Sequence, residues 1–386
     1  MAQNRKLLNK STLHISLLAG IWAFIAVYQA VGTFFFTDEY YSFREFECAK
    51  IGRTTGPFRP HFVRKGLTSG DLSHMAGVPQ LKKYHYQEFS TDEYGFRNPV
   101  GTADKPCDVV IVGDSFCVGL QASDNETLSG FIRHETGLNV YNYCGATIPE
   151  FFGDERFHQN PPRLVIFLCV ERDLSPGSDF FIGSIRPHSP QKYLPSQVYK
   201  SEMPITVLTF QDFIQKLSDD RMLKHHAEGI YKGFLYLVGI YRFPPSIFYY
   251  DRKMEMFYFN MSGKNHLDPQ LNLHYAKAVL ILMRKYRNDL KSRGISFLVL
   301  VVPDKETVYH RYIPQLKNKN VFMVLDFFHD GLKKYGIDHV RINDVFTQYD
   351  KMNPDSLLYY PDDTHMNETA TRIIFNAIKD RLPLKK

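Results

Sequence analysis

The sequence predicts an α/β fold: a central parallel sheet covered by helices on both faces, three layers in all, preceded by one membrane-crossing helix. Three observations predict it. From about residue 106 onward, short apolar runs rich in β-branched residues alternate with helix-length amphipathic stretches. One such run, Val109-Val110-Ile111-Val112, leads straight into Gly113-Asp114-Ser115-Phe116, as a buried strand delivers a hydroxyl to the mouth of a sheet. Residues 13–36 are nearly continuously apolar.

That apolar stretch fits one crossing of a bilayer, which takes about 20 residues of helix. Arg5, Lys6 and Lys10 precede it, and Asp38 and Glu39 follow. The positive-inside rule therefore places residues 1–12 in the cytoplasm and the remainder outside, with the span in a cytoplasmic (inner) membrane. The rival is a cleaved secretory signal, whose apolar core spans roughly 7–15 residues. The run here is longer, and bulky Phe34-Phe35-Phe36 offers no small-x-small cleavage site. It is read as a single uncleaved anchor.

Residues 37–105 form a polar lead-in punctuated by Pro57, Pro60, Gly66, Gly70, Gly77 and Pro79. The main domain is expected over 106–386. Strands are predicted at 108–112, 139–142, 164–170, 295–302 and 337–342. Helices are predicted at 125–136, 271–293, 321–335 and 369–381, with Gly294 as a C-cap. A stretch at about 175–268, rich in Pro, Tyr and Phe, breaks the rhythm and reads as an insertion over the carboxyl edge of the sheet.

Composition excludes some classes. Of 386 residues, 44% are hydrophobic and 23% charged, so the chain is neither disordered nor fibrous. The net charge of +6 comes from scattered Lys and Arg, which gives no nucleic-acid footprint. The 31 Phe and 24 Tyr suit a core first and a sugar-binding cleft second. The five cysteines, Cys48, Cys107, Cys117, Cys144 and Cys169, show no CxxC spacing, which argues against a zinc or redox motif. Cys117, Cys144 and Cys169 read as buried free thiols; a Cys48–Cys107 pairing is open for a domain outside the cytoplasm.

A serine hydroxyl becomes a nucleophile when an imidazole takes its proton and a carboxylate orients that imidazole. Ser115 follows the first sheet strand. His365 precedes the last helix, in Tyr360-Pro361-Asp362-Asp363-Thr364-His365-Met366-Asn367. Either Asp362 or Asp363 can reach Nδ1 from a turn. Asp114 reads as a structural acceptor in its own turn, and Arg97 as a partner for a carboxylate. Lys305 and Tyr309 are divided between the cleft and a solvated loop. Asn125, Asn260 and Asn367 begin Asn-x-Ser/Thr matches, the last of which would crowd His365 with a glycan.

With these blocks in view, the chain resembles the SGNH (GDSL-type) hydrolases. Gly113-Asp114-Ser115 matches the superfamily's first block, and Asp362-Asp363-Thr364-His365 its last, with Asp362 at the usual Asp-x-x-His spacing. Asp363-Thr364-His365 is similar to the Asp-x-His variant of alginate O-acetyltransferase subunits. So are Val301-Val302-Pro303-Asp304-Lys305-Glu306-Thr307-Val308-Tyr309 and the Val170-Glu171-Arg172 stretch. The resemblance covers roughly residues 90–175 and 270–385. Serine precedes histidine here, as in the superfamily at large and unlike those subunits. Glu171-Arg172-Asp173 stands where the superfamily has Gly-x-Asn-Asp, so the implied oxyanion donors are the N–H groups of Ser115 and Gly145, helped by Arg172.

The resemblance implies a three-layer SGNH-type domain that moves acyl groups, acetyl above all, on an extracytoplasmic polysaccharide through an acyl-serine, with no cofactor or metal. It implies a multipass membrane acyltransferase as donor partner. Two alternatives stay open: a deacetylating carbohydrate esterase, and a non-catalytic glycan-binding or assembly subunit on a degenerate scaffold.

Overall fold

Five parallel strands in the order β4-β3-β5-β8-β9 organise the protein. The computed structural model describes residues 15–27, 56–58, 60–176 and 222–384. These fall into two units. One takes in Met1–Phe43, Gly77–Gln80 and Ser201–Arg242; its described helices are residues 15–27 and Met222–Leu237. The other takes in the remaining chain and carries the sheet.

In the larger unit the strands are β1 (Val63–Thr68), β2 (His85–Ser90), β3 (Val109–Gly113), β4 (Val140–Asn142), β5 (Leu164–Val170), β6 (Ile247–Asp251), β7 (Met256–Phe259), β8 (Ser296–Val302) and β9 (Asp338–Val340). Its helices, as used below, are α1 (Asp71–Ala76), α2 (Ser115–Val118), α3 (Leu128–Thr136), α4 (Pro269–Ser292), α5 (Lys305–Val308), α6 (Met323–Lys334), α7 (Ile342–Met352) and α8 (Glu368–Ile378).

Alternation along each strand builds two cores. In β5, Leu164, Ile166, Leu168 and Val170 face one way, against α3, α7 and α8 through Leu128, Ile132, Phe346 and Ile374. Val165, Phe167 and Cys169 face the other way, against α4 and α6 through Val279, Met283, Leu325 and Phe328. A strand buried on both faces has no polar side to show, which is why β5 and β8 read as unbroken apolar runs. On α4, Ala276, Val279, Leu280, Met283, Tyr286 and Leu290 recur at helical spacing and are buried. The expected three-layer arrangement with a central parallel sheet is therefore the observed one.

Several expectations shift. The 125–136 helix is a 3-10 turn, Asp124–Glu126, followed by α3, because Thr127 accepts from Gly130 N and starts the helix afresh. Residues 337–342 divide into β9 and the start of α7, a helix not foreseen. Of the lead-in, the segments that hold β1, α1 and β2 are part of the larger unit: β1 and β2 pair antiparallel, and α1 packs beside the Asp362–Asp363 backbone. Of the stretch at about 175–268, residues 177–221 lie outside the described residues. Its later part holds the antiparallel β6–β7 hairpin, whose Phe257 N–H donates to Pro361 O.

Of the expected anchor at 13–36, residues 15–27 are helical and expose Ile15, Leu17, Trp22 and Phe24; the rest lies outside the described residues. Among the described residues no helix is long and apolar enough to cross a membrane. Cys48 and its suggested pairing with Cys107 also lie outside them, while Cys107 and Cys169 are buried free thiols. Cys117 and Cys144 are not free. They form a disulfide with Cα atoms 5.4 Å apart, because β3 and β4 are sheet neighbours that deliver α2 and the post-β4 loop side by side.

Candidate active site

Ser115 sits where β3 ends. All five residues of β3 are buried, and the turn after it leaves no room for a side chain at position 113. A Cβ on Gly113 would lie 1.7 Å from the Leu168 carbonyl oxygen. Asp114 then caps α2: its Oδ1 accepts from Phe116 N (2.8 Å) and Cys117 N (3.2 Å), and its Oδ2 from Val170 N (2.8 Å). The carboxylate is thus spent on positioning the turn and tying it to β5. Ser115 is the first residue of α2 and half-buried, so its hydroxyl stays reachable.

His365 comes from a loop closed on itself. Tyr359 and Met366 bridge antiparallel, Tyr360 N donates to His365 O (3.3 Å), and Asn367 N to Leu358 O (3.0 Å). The loop's far side is pinned by a buried lysine. Lys305 Nζ donates to the carbonyls of Tyr360 (2.7 Å), Pro361 (2.9 Å) and Asp363 (2.9 Å). Burial lowers the Lys305 pKa to about 8, against the pull of Glu306, Asp363, Asp362 and Asp71. Tyr309 is buried too, its hydroxyl accepting from Leu358 N (2.8 Å). Neither residue lines a cleft or a solvated loop; both support the histidine loop from inside.

The structure brings Ser115, His365 and Asp363 together across 250 residues of sequence, with His365 Nε2 2.9 Å from Ser115 Oγ. On the other side, His365 Nδ1 lies 2.6 Å from Asp363 Oδ1. A carboxylate only accepts, so Nδ1 carries the proton and Nε2 is left to accept the serine hydroxyl. Burial disfavours both ions, but their mutual attraction and hydrogen bond prevail: the His365 pKa rises and the Asp363 carboxyl is held well below the usual carboxylate range. His365 N (2.7 Å) and Asp71 N (2.6 Å) add backbone donors to Asp363.

Asp362, which the superfamily spacing favours as the orienting acid, faces elsewhere. Its Oδ2 accepts from Gly70 N (2.9 Å), Ser73 Oγ (2.8 Å) and Lys83 N (2.9 Å). It anchors the lead-in. The approach is close enough that a Cβ on Gly70 would meet the Asp362 carbonyl oxygen at 1.9 Å.

The expected oxyanion donors fare differently. Gly145 lies beside the nucleophile turn, but its N–H donates to Gly113 O (2.7 Å) and is not aimed at a substrate. The left-handed φ of +83° at Gly145 turns the chain so that this bond forms. Arg172 lies half-buried over the Phe116 ring, 5.0 Å from its centroid, with Nη1 on Asp304 Oδ1 at 2.6 Å. That pairing outweighs burial and keeps the guanidinium charged. Asp304 is held in turn, its N–H donating to Glu171 Oε2 (2.9 Å). Ser115 N–H, in the first turn of a helix, has no acceptor within that helix and remains the best-placed backbone donor.

Sequence reasoning missed Asp71. Its carboxylate accepts from Thr364 N and Thr364 Oγ1, each at 2.8 Å. Asp71, Asp363 and His365 each place a side-chain N or O within 4.8 Å of the others, the only such cluster of His, Cys, Asp and Glu among the described residues. The His365 ring and the Asp363 carboxylate are bonded to each other, and the Asp71 carboxylate to Thr364, so each of these groups already has a hydrogen-bond partner. No local signal marks Asp71, which stands 292 residues before Asp363 in a Gly-punctuated stretch.

Arg97 pairs with Asp124 Oδ1 (2.9 Å) and donates to the Ala122 carbonyl (2.6 Å), as a fold element. Asn367 caps α8 through Ala370 N (3.1 Å) while its amide donates to Leu357 O (2.7 Å), which leaves no place for a glycan.

Residues 265–385 match the ALGX family, described as the SGNH hydrolase-like domain of the acetyltransferase AlgX. The matched segment carries Lys305, Asp362, Asp363 and His365; Asp71, Ser115, Gly145 and Arg172 precede it. No curated protein matches the chain. The chain therefore holds an SGNH hydrolase-like region similar to that of an acetyltransferase.

The Cys117–Cys144 bond closes a loop with a sequence separation of 27 and joins the nucleophile turn to the Gly145 loop. By loop-closure entropy a link of that span contributes about 3–4 kcal/mol. A Cys117→Ser/Cys144→Ser variant is therefore expected to unfold at clearly lower urea concentration than the wild type. Alkylation of both cysteines in unreduced, denatured protein would show instead that the bond is absent.

Proposed function

We propose that this chain is a serine acyltransferase or esterase, tethered to the inner membrane by residues 13–36, with its SGNH-type domain outside the cytoplasm. It moves acyl groups, acetyl above all, on a polysaccharide. The observation that carries this reading is the contact chain from Ser115 Oγ through His365 to Asp363, at 2.9 and 2.6 Å. The AlgX-like match supports acetyl as the group and polysaccharide as the acceptor. The exposed apolar helix at 15–27 supports the tether.

Chemically, His365 Nε2 takes the Ser115 proton as Oγ bonds to the acyl carbonyl carbon of the donor. Charge on the carbonyl oxygen rests on Ser115 N–H, with the fixed charge of Arg172 nearby. The tetrahedral intermediate collapses as Nε2 returns the proton to the leaving group, and an acyl-serine remains. A sugar hydroxyl then gives its proton to Nε2 and its oxygen to the acyl carbon, and Ser115 is released with its proton restored. Asp363 stays ionised throughout and steadies the imidazolium. Tethering suits a donor handed over at the membrane by a multipass acyltransferase. With water in place of the sugar hydroxyl, the same steps make a deacetylating esterase.

One observation favours a second reading, a glycan-binding or assembly subunit on a degenerate scaffold. The Gly145 N–H is spent on Gly113 O, and a lost oxyanion donor costs about 100–1000-fold in rate.

A fluorophosphonate probe is expected to label Ser115 and to leave Ser115→Ala untouched; labelling that persists in that variant refutes the nucleophile. Asp362 and Asp363 each accept three hydrogen bonds while buried, so either Asn variant is expected to lose about 1–3 kcal/mol of stability. Chromogenic acetyl-ester turnover of the folded fraction is expected to fall about 10⁴-fold in Asp363→Asn and far less in Asp362→Asn. Equal turnover in both variants contradicts the assignment of Asp363.

A further inference from the structure

We infer that Asp71 is a positioning residue of this site: a second carboxylate, brought in by the lead-in helix α1, that supports the protonated state of His365 through its charge while its grip on Thr364 holds the loop in place. The inference rests on the proposed role of His365 as the base.

The geometry is specific. Asp363 and Asp71 are linked in both directions. The Asp71 backbone N–H donates to Asp363 Oδ2 at 2.6 Å, while the Asp71 side chain takes both donors of Thr364, the residue between Asp363 and His365. The segment that must hold still for the imidazole to face Ser115 is thus gripped from α1 on one side and by Lys305 on the other. Within 4.8 Å, Asp71 also has a carboxylate oxygen near the His365 ring and the Asp363 carboxylate.

Charge follows from that placement. Burial raises the Asp71 pKa to about 7, and repulsion from Asp363 adds to it, while His365 and the Thr364 hydrogen bonds oppose. Asp71 therefore gains and loses its charge in the range where an imidazole works. His365 faces Asp363 on its own loop, Asp71 on α1 and Arg172 after β5. The first two raise its pKa, and burial and Arg172 lower it. Lys305 acts on the same carboxylates from α5, and the Tyr360 phenol is held neutral by burial and by Glu368, Glu126 and Asp363. A negative charge beside an imidazolium favours the proton, so removing that charge must lower the His365 pKa. A second acid here would let the protonated base persist after it takes the serine proton, before the leaving group claims it.

Two variants separate charge from packing. Asp71→Asn keeps an oxygen for Thr364 N and offers its amide to Thr364 Oγ1, so the shape survives and the charge goes. Thr364→Val keeps the charge and loses one hydrogen bond. The test is an NMR titration of the His365 ring in selectively labelled full-length protein, assigned with a His365→Gln variant. The pKa is expected to drop by about one unit in Asp71→Asn and to hold in Thr364→Val, with the acid limb of ester turnover moving in parallel. An unchanged pKa in Asp71→Asn overturns the inference, and so does an equal drop in both variants, which makes the role one of packing alone. Should Asp71→Asn fail to fold, Asp71→Ser reads the same quantity. The titration needs no substrate. Absence of Ser115-dependent turnover in the wild type would remove the proposed function while the titration still decides the place of Asp71.

Discussion

The site depends on keeping one carboxylate, Asp363, ionised where water cannot reach it. A bare carboxylate in such a place costs several kcal/mol and would take up a proton instead. Asp363 escapes this because its neighbours are donors: the His365 ring, the His365 backbone and the Asp71 backbone, at 2.6–2.7 Å. Lys305 holds the carbonyl side of the same turn. Everything that fixes the imidazole toward Ser115 passes through this turn. Buried loops are uncommon because their polar backbone needs partners. Here the partners come from three distant segments, which is what allows the loop to be both buried and rigid.

The same logic explains why the nucleophile turn tolerates so little. Gly113 is pressed against Leu168, Asp114 spends both oxygens on α2 and β5, and Cys117 is tied to Cys144. Serine and histidine arrive on separate supports, the sheet edge for one and the clamped loop for the other. Their 2.9 Å contact is set by how α8 and β3 pack on the shared core. Arg172 and His365 both pack on Phe116, the guanidinium 5.0 Å and the imidazole centroid 4.8 Å from the centre of its ring.

Much of this was legible in the sequence. The buried strands show as apolar runs because both faces are covered, and Ser115 and His365 show because each borders a strong element boundary. The choice between Asp362 and Asp363 was not legible. Spacing limits which residues reach Nδ1, but which side chain turns inward depends on the Lys305 clamp and on the lead-in that claims Asp362. Asp71 was invisible for the same reason: its partners lie 292 residues away and nothing near it marks chemistry. β1 and β2 were missed because their solvent face mixes apolar and charged residues, Val63, Leu67 and Tyr86 beside Lys65 and Glu88, so neither strand shows a clean apolar–polar alternation. The pairing of Cys117 with Cys144 needed the strand order, which no local pattern carries.

The central claim is that Ser115, activated through His365 and Asp363, forms a covalent acyl intermediate. Rapid quench of the protein with an activated acetyl ester, followed by peptide mass spectrometry, reads this directly. The account predicts one acetyl group on the peptide containing Ser115, reached quickly and stoichiometrically by the wild type and not by His365→Ala. Turnover of the ester with no acetyl on that peptide at any time, or equal acetylation without His365, would contradict it.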